Sequence, residues 1–114
     1  YWPYWDKAPF SLTFWAHRPL GVMTQELAYR SNAAWNESHF SNKDFDKALD
    51  TAVGVFDPVE RSKAMEKVER ILQESYVMVQ PFFGDSLTAV SKKVHNYILH
   101  PSDYFRMDDV WIES

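Results

Sequence analysis

The sequence predicts an α/β fold, and three observations carry the prediction. Two adjacent segments show helical periodicity with clear start signals, β-prone apolar runs flank them on both sides, and turn residues separate the runs. The expected order is strand, helix, loop, two consecutive helices, then several short strands. The helices at 42–53 and 57–75 are expected to form an antiparallel pair packed on a small mixed sheet.

Each element has its own warrant. "SLTFW" at 11–15 reads as a short strand feeding "AHRPLG". Pro19 suits the first turn of a helix, with Leu20, Met23 and Leu27 recurring at i, i+3 and i+7. "SNAAWNESHFSN" is a polar loop. Ser41 reads as an N-cap with Asp44 at N3, and Phe45, Ala48, Leu49 and Ala52 then draw one apolar stripe that Gly54 ends. "FDPVE" is the sharpest signal: Asp57 at the N-cap, Pro58 at N1 and Glu60 at N3. Ala64, Met65, Val68, Ile71 and Leu72 form that helix's apolar face. "YVMVQPFFG" reads as a strand that Pro81 confines to an edge or a bulge. "LTAVSKKVHNYIL" suggests another strand, and "DDVWI" a last short one.

Composition narrows the function. With 114 residues the chain suits one domain, and 46% hydrophobic against 25% charged residues makes it globular. A net charge of −4 leaves no electrostatic footprint for a phosphate backbone, so no nucleic-acid partner is expected. The absence of cysteine excludes disulfides and thiol chemistry. Aromatic residues reach 17%, and seven of them fall within "YWPYWDKAPFSLTFW". A domain this small cannot bury so many large rings with their polar atoms satisfied, so some are expected to face a ligand or further protein.

Local chemistry is sparse. His17, His39, His95 and His100 show no metal-ligand spacing, so neither metal nor cofactor is expected. Asp46 and Asp50 share a polar helix face with Lys47, an ordinary solvated arrangement. Ser11, Ser41 and Ser86 lack nucleophile-elbow glycines, and the three glycines form no phosphate cradle. "NES" at 36–38 matches a glycosylation sequon, a pattern short enough to recur by chance. Nothing points to an enzyme.

The order of motifs says more than any single one. "PFSLTFWAHRPLG", "LAYRSNAAWNESHFSNKDFDKALD", "DPVERSKAMEKVERILQES", "VQPFFGDSLTAVSKKVHNY" and "HPSDYFRMDDVWI" follow one another through nearly the whole chain. This order resembles the C-terminal end of a family 5 extracellular solute-binding protein, the dipeptide-, oligopeptide- and nickel-binding receptors of ABC importers. Phe40, Asn42, Phe45, Asp46, Leu49, Asp57, Arg61, Ile71 and Pro81 carry the pattern. The resemblance implies that "FSNKDFDKAL" is a structural helix start, with the asparagine and acid capping it and Phe45 and Leu49 anchoring it. It also implies that residues 1–114 are part of the C-terminal lobe of a two-lobed, periplasmic-binding-protein-like fold. Family members are several times longer, with a signal peptide far upstream. The implied location is periplasmic or extracellular, as a lipoprotein in some cases. The implied partners are a small-molecule or peptide ligand, the ABC permease subunits and the remaining lobes of the parent chain.

The same resemblance proposes a binding site. In peptide-binding members a strand ending in tryptophan is followed three residues later by an aspartate that holds the ligand's amine. Trp15 fits, but Arg18 stands where the aspartate would be, and a guanidinium suits a carboxylate or phosphate instead. Arg18 either faces such an anion or pairs with an acid of a missing lobe. Trp15 either stacks on ligand or packs in the core. His17 is the next polar contact, and Trp35, Asn36 and Tyr104 fall in segments that family members place near the cleft. A small autonomous aromatic-rich domain that binds carbohydrate is the alternative.

Overall fold

The computed structural model describes residues 3–100, 102 and 104–114. Tyr1 and Trp2 of the opening aromatic run, and Pro101 and Asp103 of "HPSDYF", lie outside the described residues. The fold is a mixed α/β chain: α1 (Gly21–Ala28), α2 (Lys43–Val53), α3 (Pro58–Glu74), β1 (Val94–His95) and β2 (Trp111–Ile112). The two strands pair antiparallel, Val94 opposite Ile112 and His95 opposite Trp111.

The hairpin of α2 and α3 is the centre of the molecule. Phe45, Leu49, Val68 and Ala52 are fully buried in it, with Ala48, Leu72 and Val22 of α1 completing the core. The apolar stripes expected at 45, 48, 49 and 52 and at 64, 65, 68, 71 and 72 all reach this core or pack on its margin. The helices run antiparallel. Asn42 and Asp44 at the start of α2 share a depression with Ile71, Glu74 and Ser75 at the end of α3. At the other end the Arg61 guanidinium donates to the Val55 carbonyl at 3.3 Å, clipping the turn between the helices. Phe40 closes the top, its ring edge-on to Phe45 at 5.2 Å.

Both caps are side-chain caps. Asp57 Oδ1 accepts from the amides of Val59 and Glu60, both at 2.9 Å, with Pro58 just inside the helix. At α2 the cap is Asn42 and not Ser41: Asn42 Oδ1 accepts from Asp44 N at 2.9 Å and Phe45 N at 3.0 Å. The reason is register. The helix begins at Lys43, which leaves Ser41 exposed one residue too early. Asn42→Ala is therefore expected to cost about 1 kcal/mol. Ser41→Ala should cost almost nothing. Urea unfolding followed by circular dichroism orders the two, and the opposite order would return the cap to Ser41.

Three expectations are corrected. The first helix starts at Gly21 with Leu20 at the cap, and it buries Val22 and Ala28; Leu20 and Met23 both stay exposed. The apolar stripe at 20, 23 and 27 is therefore not the packed face, since α1 turns its other side to α2. Residues 11–15 and 76–84 form no strand, and only two residues of 87–99 do. No backbone hydrogen bond joins residues 77–90 to any other described residue. These runs have strand composition but no neighbour, and a strand exists only by pairing. Finally, the helix pair does not rest on the sheet, because neither strand contributes a residue to the core.

The consequence is a wide surface. The chain exposes 9378 Å², where a compact monomer of 13.4 kDa exposes roughly 6,500 Å². Its radius of gyration is 18.0 Å, against roughly 13 Å for a compact domain of this length. Phe10, Phe14, Phe56, Phe83 and Leu87 are each more than four-fifths exposed. The excess exceeds one partner's share of a standard protein–protein interface, about 800 Å².

Candidate functional site

Residues 30–42 form a loop closed by its own hydrogen bonds, and they present Trp35. Turns are closed by Ala33 N to Arg30 O and Asn36 N to Ala33 O, both at 3.0 Å, and by His39 N to Asn36 O at 3.2 Å. Asn32 and His39 take left-handed backbone, φ 60° and 54°, which asparagine tolerates better than most residues. The loop is then tied to α2. Ser31 N donates to Asp46 Oδ1 at 3.0 Å, Asn42 N donates to Ser31 Oγ at 3.2 Å, and Arg30 reaches Asp50 at 2.7 Å and Glu26 at 3.1 Å. The hydrogen bond to Asp50 is the main cause that raises the Arg30 pKa, while burial opposes it.

Asn36 is the keystone of this loop. It is buried, and its amide donates to the carbonyls of Arg30 at 3.1 Å and Phe40 at 2.7 Å. Its carbonyl accepts from Ser38 Oγ at 2.7 Å and Phe40 N at 3.2 Å. Its donors and acceptor are spent on the chain itself. The geometry therefore gives Asn36 a structural role rather than a ligand contact.

Its neighbour Trp35 is half exposed and meets Trp15, ring centroids 5.9 Å apart and planes tilted by 50°. The aromatic pair thus joins two segments far apart in sequence. His17 is exposed and Arg18 half-buried, two and three residues beyond Trp15. No acid lies within ion-pair reach of Arg18 among the described residues. Tyr104 is exposed, and its ring meets His100 edge-on at 5.7 Å instead of the tryptophan pair. The structure brings Trp15 and Trp35 together, carries His17 and Arg18 close behind in the chain, and turns Asn36 inward.

Sequence reasoning passed over Glu37. Its Oε2 is buried without a hydrogen-bond donor, and so is Oε1 of Gln25. Tyr29, at the C-cap of α1, is half-buried. Burial first, and the Glu37 carboxylate second, push its phenol pKa up. Glu37 follows the tryptophan and asparagine in "WNES", but no periodicity marks it.

Two shallow depressions lie on the hairpin, of about 640 Å³ along Pro58–Glu69 and about 280 Å³ at its other end; none of the candidate residues lines either. Among the described residues no group of three His, Asp or Glu side chains could hold a metal ion, and no helix is long and apolar enough to cross a membrane. The chain matches no family model, no curated protein and no solved structure.

Proposed function

We propose that the chain is part of the C-terminal lobe of a family 5 extracellular solute-binding protein. On this reading it captures a peptide-like or other small solute outside the membrane and delivers it to the permease of an ABC importer, without chemistry. The observation that carries the proposal is the work done by the pattern residues. Asn42 and Asp57 cap the two helices, Phe45 and Leu49 fill the core, and Phe40 packs on it. Asp46 holds the loop through Ser31 N, and Arg61 clips the turn. The surface excess adds support, because flanks rich in exposed rings suit a chain that further lobes cover. Trp15, Trp35, His17 and Arg18 are the ligand-facing residues in this proposal.

The test is a thermal-shift screen of the longest secreted reading frame that contains this chain, against dipeptides, opine-like conjugates and sugar acids. A bound solute at a hundred times its Kd adds about 2.7 kcal/mol of stability, which is several degrees of melting temperature. A start codon immediately before Tyr1, with the 114-residue product melting cooperatively as a sugar-binding monomer, would sink the proposal. It would favour the autonomous carbohydrate-recognition domain, for which the exposed tryptophan pair is the supporting feature.

A further inference from the structure

We propose that Asn36 is a fold-gated modification site: its amide accepts an N-linked oligosaccharide in the open chain, and closure of the 30–42 loop withdraws it. This inference is independent of the solute-binding proposal. It concerns the "NES" sequon at 36–38, whose polar groups the closed loop puts to other use.

Attachment of the oligosaccharide makes definite demands on the acceptor. Asn36 Nδ2 must attack the anomeric carbon of a lipid diphosphate-linked oligosaccharide. The carbon–oxygen bond to the diphosphate breaks, the lipid diphosphate leaves with the electron pair, and the amide gives one proton to a base. The amide must therefore be reachable, and the serine hydroxyl, which is part of the recognised pattern, must be presented with it.

The closed loop meets neither demand. Asn36 is 8% exposed, and its amide hydrogens are engaged by the Arg30 carbonyl at 3.1 Å and the Phe40 carbonyl at 2.7 Å. Ser38 Oγ donates its only hydrogen to Asn36 Oδ1 at 2.7 Å and accepts from Phe40 N at 3.3 Å. The backbone is bent as well. Glu37 N closes onto Trp35 O at 3.0 Å, His39 N onto Asn36 O at 3.2 Å, and His39 takes φ 54°. The sequon is folded onto itself.

The exclusion runs both ways. After transfer Nδ2 keeps one hydrogen, so one loop carbonyl loses its donor and a sugar takes the place of that bond. An acceptor left unpaired is costly, and a bulky, solvated sugar belongs at the surface. Closure also depends on α2, through Ser31 N to Asp46 Oδ1 at 3.0 Å and Asn42 N to Ser31 Oγ at 3.2 Å. The gate therefore opens when the hairpin does.

A purified single-subunit oligosaccharyltransferase with a lipid-linked oligosaccharide donor tests this, with intact mass and peptide mapping as the readout. The acceptors are the 114-residue chain, its Phe45→Ala variant and a peptide of residues 30–42, which lacks α2. The peptide is expected to gain a glycan at Asn36 at least about tenfold faster than the folded chain, because modification tracks the open population. Phe45→Ala, which opens the hairpin, is expected to approach the peptide's rate. Modification of the wild-type chain at the peptide's rate overturns the gate, and so does a Phe45→Ala chain as protected as wild type. An unmodified peptide overturns the acceptor itself. None of these outcomes bears on solute binding, which the longer protein's thermal shifts decide.

Discussion

Phe45→Ala should remove most of the stability of the folded hairpin, about 3–5 kcal/mol. The ring is fully buried, and it touches both the α3 face through the core and Phe40 at the loop end. Truncation deletes the transfer free energy of the ring and leaves a cavity that helices fixed by caps at both starts cannot collapse. The core is small, so there is little to compensate: Leu49 and Val68 are the other large side chains with no exposure. A total of 5–15 kcal/mol is ordinary for a whole domain, and the buried core of this chain draws only on the stretch from Val22 to Leu72. Urea unfolding followed at the helix signal should show the midpoint falling to low denaturant or the transition vanishing. Phe56→Ala is the matched control, because Phe56 is 94% exposed and should change stability by no more than about 0.5 kcal/mol. A Phe45→Ala protein within about 1 kcal/mol of wild type would mean that the hairpin is not the core.

The second large effect concerns ligand. If Arg18 faces a closed cleft in the longer protein, solutes with a carboxylate should be preferred, since a guanidinium holds a carboxylate through two parallel hydrogen bonds. Truncating one side of such a buried pair costs about 2–5 kcal/mol, because the partner charge stays buried and unmatched. Arg18→Ala in the longer protein should then weaken binding roughly 30-fold or more. Arg18→Lys should recover only part of this, for an ammonium cannot reproduce the fork. The present structure is compatible with the role: Arg18 is half-buried, and no acid among the described residues occupies it. Calorimetric titration with a carboxylate-bearing solute decides. Unchanged affinity with a large drop in melting temperature would make Arg18 a strut against another lobe.

The helices were legible because their information is local. Capping residues, a proline at N1 and a periodic apolar face lie within one or two turns of each other, and Asp57, Pro58 and Phe45 all act as read. The one-residue error at Ser41 shows the resolution of such reasoning, since two adjacent residues of cap type cannot be ranked without the register. The strands were not legible for the opposite reason. "YVMVQPFFG" has strand composition, but a strand depends on a neighbour, and the described residues contain none for it. At the site, Trp15 and Trp35 were named separately, and nothing in their spacing announces their contact. Asn36 was singled out for its place in a loop, yet its role follows from four hydrogen bonds that only coordinates reveal. Glu37 was passed over because a carboxylate with one buried oxygen looks, in sequence, like a solvated one.

The four-residue connection between α2 and α3 also fixes an order of events in time. Closing so short a loop takes well under a microsecond, and helical hairpins with local contacts fold in microseconds to milliseconds. The capped hairpin therefore forms first and unaided as the chain emerges. Val77 and Met78 pack on the margin of the core, but residues 79–90 make no backbone hydrogen bond to any other described residue, so the hairpin does not fix their structure. If further lobes cover this arm, as the solute-binding proposal has it, one chain carries a fast nucleus and a slow arm that orders only on meeting them.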